Sequence, residues 1–177
     1  MQIQEKEMKK IKLLAALLML GFVLTGCSLF KDKEKTYVHN EVSITAVDGF
    51  VKNSEIINVY YYLQKGNEII IVAKVNKSDV EETLGQSFTM EELLTFEMEA
   101  KDLEVEIQTN ILDDSVITYV EYEIYDETNQ NQLSYLVSVY ETEEYFYLVN
   151  FTTLTKNYPK KQSNYLSWAH SVVISEE

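Results

Sequence analysis

The chain has 177 residues, 46% of them hydrophobic, with 15 lysines, no arginine, 29 acidic residues and a net charge of −14 at pH 7. That length fits one globular domain with a real core behind an N-terminal segment and leaves no room for two. So negative a surface is repelled by phosphate, which argues against nucleic acid and anionic lipid headgroups as partners and in favour of cationic ones.

The first informative segment carries Lys9, Lys10 and Lys12, then an apolar run over residues 13–24 interrupted by Gly21, and ends in Leu24-Thr25-Gly26-Cys27. A positive stretch, a short apolar stretch and small residues before a cleavage point are the layout of a secretory signal. The last four residues resemble the lipobox of bacterial lipoprotein precursors. That resemblance implies cleavage after Gly26 and a diacylglycerol on Cys27, the only cysteine in the chain. It would make the protein a fatty-acylated (palmitate-type) lipoprotein on the extracytoplasmic face of the cell membrane. Two acyl chains hold a soluble domain at a bilayer where one binds only marginally. An uncleaved anchor helix is the alternative, because residues 13–30 are all uncharged and long enough to span. The absence of arginine excludes a twin-arginine signal and points to general secretory export. A lysine-only, asparagine-rich composition beside a lipobox leans towards a Gram-positive source.

Losing residues 1–26 would remove four lysines and two glutamates, leaving 151 residues with a net charge of −16. No cysteine follows Cys27, so packing without disulfides must hold the domain. Residues 28–36 contain Lys31-Asp32-Lys33-Glu34-Lys35, a mixed-charge run without apolar periodicity that reads as a tether. The expected organisation is a signal peptide over 1–26, lipidated Cys27 and tether over 27–36, and one domain over 37–177.

Within that domain, residues 42–47 alternate apolar and polar as a half-buried strand does, before a turn at Asp48-Gly49. Residues 56–63 and 68–75 form a hairpin around Gln64-Lys65-Gly66-Asn67. Ser78 with Glu81 and Thr89 with Glu92 have capping-box spacing, so helices are expected over 78–84, stopping at Gly85, and from Met90 to about Lys101. Leu93, Phe96 and Ala100 should form the buried stripe of the second, with Leu94 and Met98 beside it. Period-two patterns over 103–108, 116–125, 133–140 and 145–154 predict a four-strand antiparallel meander. Near Pro159 a closing amphipathic helix should begin, with Tyr165, Leu166, Ala169, Val172 and Val173 facing the sheet and Trp168 at the edge of that stripe. The fold class is α+β, an antiparallel sheet covered by helices.

This element order, with Ser87-Phe88-Thr89-Met90-Glu91-Glu92-Leu93 opening a helix, Phe151-Thr152-Thr153 before the closing helix and Ser171-Val172-Val173-Ile174-Ser175 ending it, resembles the PsbP-like and DcrB-like domains of bacterial lipoproteins over roughly residues 37–175. A cystatin-like fold is the alternative, although its long opening helix has no counterpart. The resemblance implies a non-enzymatic accessory or binding module and assigns no site residue.

The residues themselves point the same way. Two histidines, His39 and His170, and no thiol beyond Cys27 make no zinc ligand set. His170 follows Ser167 at helical spacing, but no nucleophile elbow or oxyanion loop accompanies them. Asp113-Asp114, Asp126-Glu127 and Glu143-Glu144 sit at turns and would gather calcium only if the turns converge; no EF-hand spacing is present. The base-free stretch between Lys101 and Lys156 reads as a solvated sheet face. Tyrosines suit strands without being a ligand platform, and Tyr60-Tyr61-Tyr62 must split between faces. The expectation is therefore no catalytic residue, no metal and no cofactor beyond the Cys27 lipid. Function would rest on a protein or envelope component engaged by the sheet or its acidic rim, or alternatively on a small solute or cation.

Overall fold

The computed structural model describes residues 33–53 and 59–175. The signal-like segment, Leu24, Thr25, Gly26 and Cys27 lie outside the described residues, as does most of the segment expected to open the first hairpin.

In chain order the elements are β1 (Glu34–His39), β2 (Val42–Val47), β3 (Val51–Lys52), β4 (Tyr61–Lys65), β5 (Glu68–Asn76), α1 (Lys77–Leu84), α2 (Met90–Glu99), β6 (Gln108–Leu112), β7 (Ser115–Asp126), β8 (Asn131–Glu141), β9 (Tyr145–Leu154), a 3-10 segment (Thr155–Lys160), α3 (Gln162–His170) and β10 (Val173–Ile174). Strands β3-β4-β5-β9-β8-β7-β6 form one sheet and β1-β2-β10 a smaller one. Every pairing is antiparallel. This is the expected α+β architecture.

Strand β9 lies at the centre of the large sheet and feeds two cores through the pleat. Tyr147, Val149 and Phe151 face α3 and the small sheet, where they meet Ile44, Leu63, Val72, Leu136, Tyr165 and Trp168. Phe146 and Leu148 face the other way, towards Leu93, Leu94 and Met98 of α2 and Val137 of β8. The alternation of β-branched and aromatic residues along β9 is what a strand covered on both faces requires.

Local signals hold where they concern turns and caps. Thr89 and Glu92 form the reciprocal capping box, and α1 ends at Gly85, whose φ of 74° is open to glycine. The cap of α1 differs from expectation: Asn76, not Ser78, accepts from the Ser78 N–H at 2.8 Å, and the Ser78 hydroxyl is itself bonded to Asn76 Oδ1. With the amide oxygen of Asn76 already on the first N–H groups, the helix starts ahead of the serine.

Other differences follow from packing. Strand β1 begins at Glu34, inside the expected tether, because pairing with Val47, Ala46 and Thr45 gives the charged run a ladder. Residues 103–107 form no strand, yet Leu103, Val105 and Ile107 still pack beside α2. Helix α2 buries Leu93, Leu94 and Met98 and leaves Phe96 at 37% exposure and Ala100 exposed; Phe96 instead meets Phe88 edge-on. Helix α3 stops at His170, so Val173 joins β10, and Trp168 is central to the core, not peripheral. Pairing with β2 satisfies the backbone of Val173 and Ile174 and ends the helix early.

Truncating fully buried Leu94 to alanine should cost about 2–5 kcal/mol in urea unfolding. Phe96→Ala should cost about 1 kcal/mol or less, the reverse of what the stripe read from sequence implies.

Candidate acidic cleft at the hairpin tip

The two-residue turn between β1 and β2 is Asn40-Glu41, with Asn40 at φ 48°. It carries Glu41 over the edge of the large sheet, where Lys74 of β5 and Tyr147 of β9 stand opposite each other in register. Tyr60, entering β4, completes the group. The Glu41 carboxylate accepts from Lys74 and from Tyr60, and from the Tyr147 hydroxyl at 2.7 Å. Asn40 Nδ2 donates to the Tyr60 oxygen at 3.0 Å, and the Glu41 carbonyl accepts from the Ser175 N–H at 2.9 Å.

Lys74 is also wrapped in aromatic rings. Its ammonium lies 3.9 Å from the centroid of Tyr145, 5.3 Å from Tyr60 and 5.5 Å from Tyr147, close enough for ring quadrupoles to share its charge. Around this pair opens a cleft of about 610 Å³, lined further by Thr142, Glu143, Glu144 and Ser175.

The ion pair fixes the charge states. Burial alone would raise the Glu41 carboxyl, but bonds from Lys74, Tyr60, its own backbone and Tyr147 outweigh that and hold it at about 2. The Glu41 bond, against burial, raises Lys74 above its ordinary value. Burial and then the bond to Glu41 push Tyr147 up to about 12. The cluster is a closed set of matched partners, with Glu143 and Glu144 as an exposed anionic mouth.

The sequence candidates fall elsewhere. His170 does not meet Ser167 as a catalytic pair; its Nδ1 lies 2.9 Å from Ser115 Oγ and its Nε2 2.8 Å from Asn110 Oδ1, so it fastens α3 to the β6–β7 hairpin. Burial lowers its pKa. His39 stacks on Tyr61 at 4.8 Å and accepts from Lys52. The three acidic turns do not converge: Asp113-Asp114 and Glu143-Glu144 lie at one end of the sheet, Asp126-Glu127 at the other. Among the described residues no group of three His, Cys, Asp or Glu side chains could hold a metal. The base-free stretch is not wholly solvated, since Glu121 points inward and accepts from Tyr158 and Gln162. Sequence reading missed Glu41, a lone acid before an ordinary strand; Lys74, a charge in an otherwise apolar strand, was the only available hint.

The two charges also set the pH response. Glu41 titrates lower folded than its ordinary 4.5, so its stabilisation is complete above about pH 4.5 and disappears as pH falls towards 2. Lys74 titrates higher folded than its ordinary 10.5, so its share is complete below that pH and is lost above it. Melting temperature should therefore be flat in this contribution from about pH 5 to 10. Glu41→Gln should lower stability by about 1–3 kcal/mol at pH 7, reduced from a fully buried pair by partial solvent access, and should flatten the acid limb in a pH series of thermal melts.

No family model matches the sequence, and no curated protein matches it. Solved structures do share the fold. The solution structure of cyanobacterial PsbP (CyanoP) from Synechocystis sp. PCC 6803 is similar at TM-score 0.52 and 11% identity, over 84% of this chain and 96% of that one. A crystal structure from Bacteroides thetaiotaomicron VPI-5482 is similar at TM-score 0.54 and 8% identity over 81% of this chain. This chain matches about half (49%) of the Bacteroides protein's length. The α+β fold, antiparallel sheets with a helix near the C-terminus, is thus of the PsbP-like type.

Proposed function

We propose that this protein is a lipid-tethered extracytoplasmic binding or accessory module, without chemistry of its own, that engages a protein or envelope component through its acidic surface. The observation that carries this reading is the cleft at Glu41. A catalytic acid or base works best when its pKa lies near the operating pH. Here Glu41 and Lys74 are moved away from neutrality in opposite directions, and both spend their hydrogen bonds on each other and on tyrosines. Such a cluster fixes shape and charge; it is poorly suited to passing protons. The likeness to a PsbP fold supports an accessory role, and the Leu24-Thr25-Gly26-Cys27 sequence supports attachment to the outer face of a membrane by diacylglycerol on Cys27.

A second reading has its own observation. An open cleft of about 610 Å³ with tyrosine walls and Glu143 and Glu144 at its mouth suits a small organic cation. Titration calorimetry with putrescine would support it through a binding heat lost in Glu143→Gln/Glu144→Gln.

For the leading reading, Cys27→Ser should leave the precursor unprocessed or release the protein from the membrane fraction. Mass spectrometry of the membrane-bound form should find Cys27 carrying diacylglycerol, and an unmodified thiol there refutes the anchor. Partner capture by the detergent-solubilised full chain should weaken as salt rises from about 0.1 to 1 M, because the screening length shrinks from about 10 to 3 Å. Salt-insensitive capture would move the contact to apolar surface.

A further inference from the structure

Sheet edges are templates for another strand, and folded proteins usually blunt them with short strands, lysine or proline. Most of the described edges here are blunted. Strands β3 and β10 have two residues each, and β1 carries Lys35. Strand β6 is different: Gln-Thr-Asn-Ile-Leu, five residues without charge or proline, with no described strand beyond it.

Its free side can be read from the register. The Asp113-Asp114 turn joins Leu112 to Ser115 as a hydrogen-bonded pair, and alternation puts Asn110 and Gln108 in the same class. The N–H and C=O groups of Thr109 and Ile111 therefore point away from β7. Side chains beside them are apolar and uncovered: Ile111 is 69% exposed, its cross-strand partner Val116 60% and Leu112 46%. His170 holds this hairpin from the opposite face through Asn110 and Ser115, so the edge is presented rigidly.

Charge selects the occupant. Glu104 and Glu106 precede the strand and Asp113 and Asp114 follow it, without a basic residue from 102 to 155. A second copy paired antiparallel about Asn110 would set Glu106 against Asp114 at both ends, a repulsive arrangement. We infer that β6 accepts an extended basic segment of a partner protein as an added antiparallel strand, its backbone bonding to Thr109 and Ile111, its lysines or arginines meeting the flanking acids and its apolar residues extending the Ile111–Val116 row. This rests on the protein-binding reading above and names the surface and the chemistry of the partner.

The test uses the full chain in detergent micelles, with an alternating lysine–valine heptapeptide as probe and a glutamate–valine heptapeptide as control. Hydrogen exchange should show the Thr109 and Ile111 amides slowed by about tenfold or more with the basic peptide and unchanged with the acidic one. Ile111→Pro removes an N–H that β7 does not use and should weaken binding by about tenfold or more without altering the melt. Should that variant misfold, Asp113→Asn/Asp114→Asn leaves the strand intact and should weaken binding by about threefold to tenfold with a shallower salt dependence. Slowed exchange elsewhere, or equal binding by the variants, overturns the inference, and so does a peptide-free dimer abolished by Ile111→Pro. If a cellular partner is retained equally by Ile111→Pro, the edge assignment fails while the binding-module reading stands. If the peptide protects β6 but no cellular partner is captured, it is that reading which fails.

Discussion

A carboxylate held largely out of water is costly unless its charge and lone pairs are matched, and Glu41 meets that requirement with partners drawn from three places in the chain. Tyr60 enters β4, Lys74 belongs to β5 and Tyr147 to β9, while Glu41 itself rides on the turn of the small sheet. Apolar burial between the sheets is favourable but non-directional. The ion pair is directional, so it sets where the tip of the β1–β2 hairpin rests. Ser175 bonds the same residue's carbonyl, and β10 pairs with β2, which brings the end of the described chain to the same point.

The negative charge of the chain is divided between two tasks. Some acids face inward and fasten elements: Glu121 receives Tyr158 and Gln162, Glu68 receives Lys161, and Glu141 receives Lys77. These contacts hold the 3-10 segment, α3 and α1 against the large sheet. Acids at turns have no such task and remain as an exposed anionic rim around Glu143, Glu144, Asp113 and Asp114 at one end. Net charge alone predicts repulsion of phosphate; the division predicts where attraction to cations is concentrated.

The same asymmetry runs through the sheet. Its centre at β9 is covered on both faces, and Tyr122 and Tyr135 stack across β7 and β8 at 4.8 Å beside α2. Beyond the reach of α2 the β6–β7 hairpin loses that cover, and apolar side chains emerge beside unused backbone groups. The rigid centre and bare margin arise because α2 spans ten residues while β7 spans twelve and projects past it.

What depends on neighbours along the chain is legible in the residues alone: the Thr89–Glu92 box, the stop at Gly85, the turn at Gly66, the meander of β7, β8 and β9, and the α+β class. Each follows from backbone hydrogen bonds and side-chain periodicity within a few residues. Tertiary contact alone decided that Leu94 and not Phe96 is buried, that Val173 leaves the helix for β2, that His170 meets Asn110 and Ser115, and that Glu41 finds Lys74 33 residues away. A charge in a strand reads as exposed until the fold supplies its counter-charge, because the energy that justifies burying it lies in a partner that sequence spacing does not reveal.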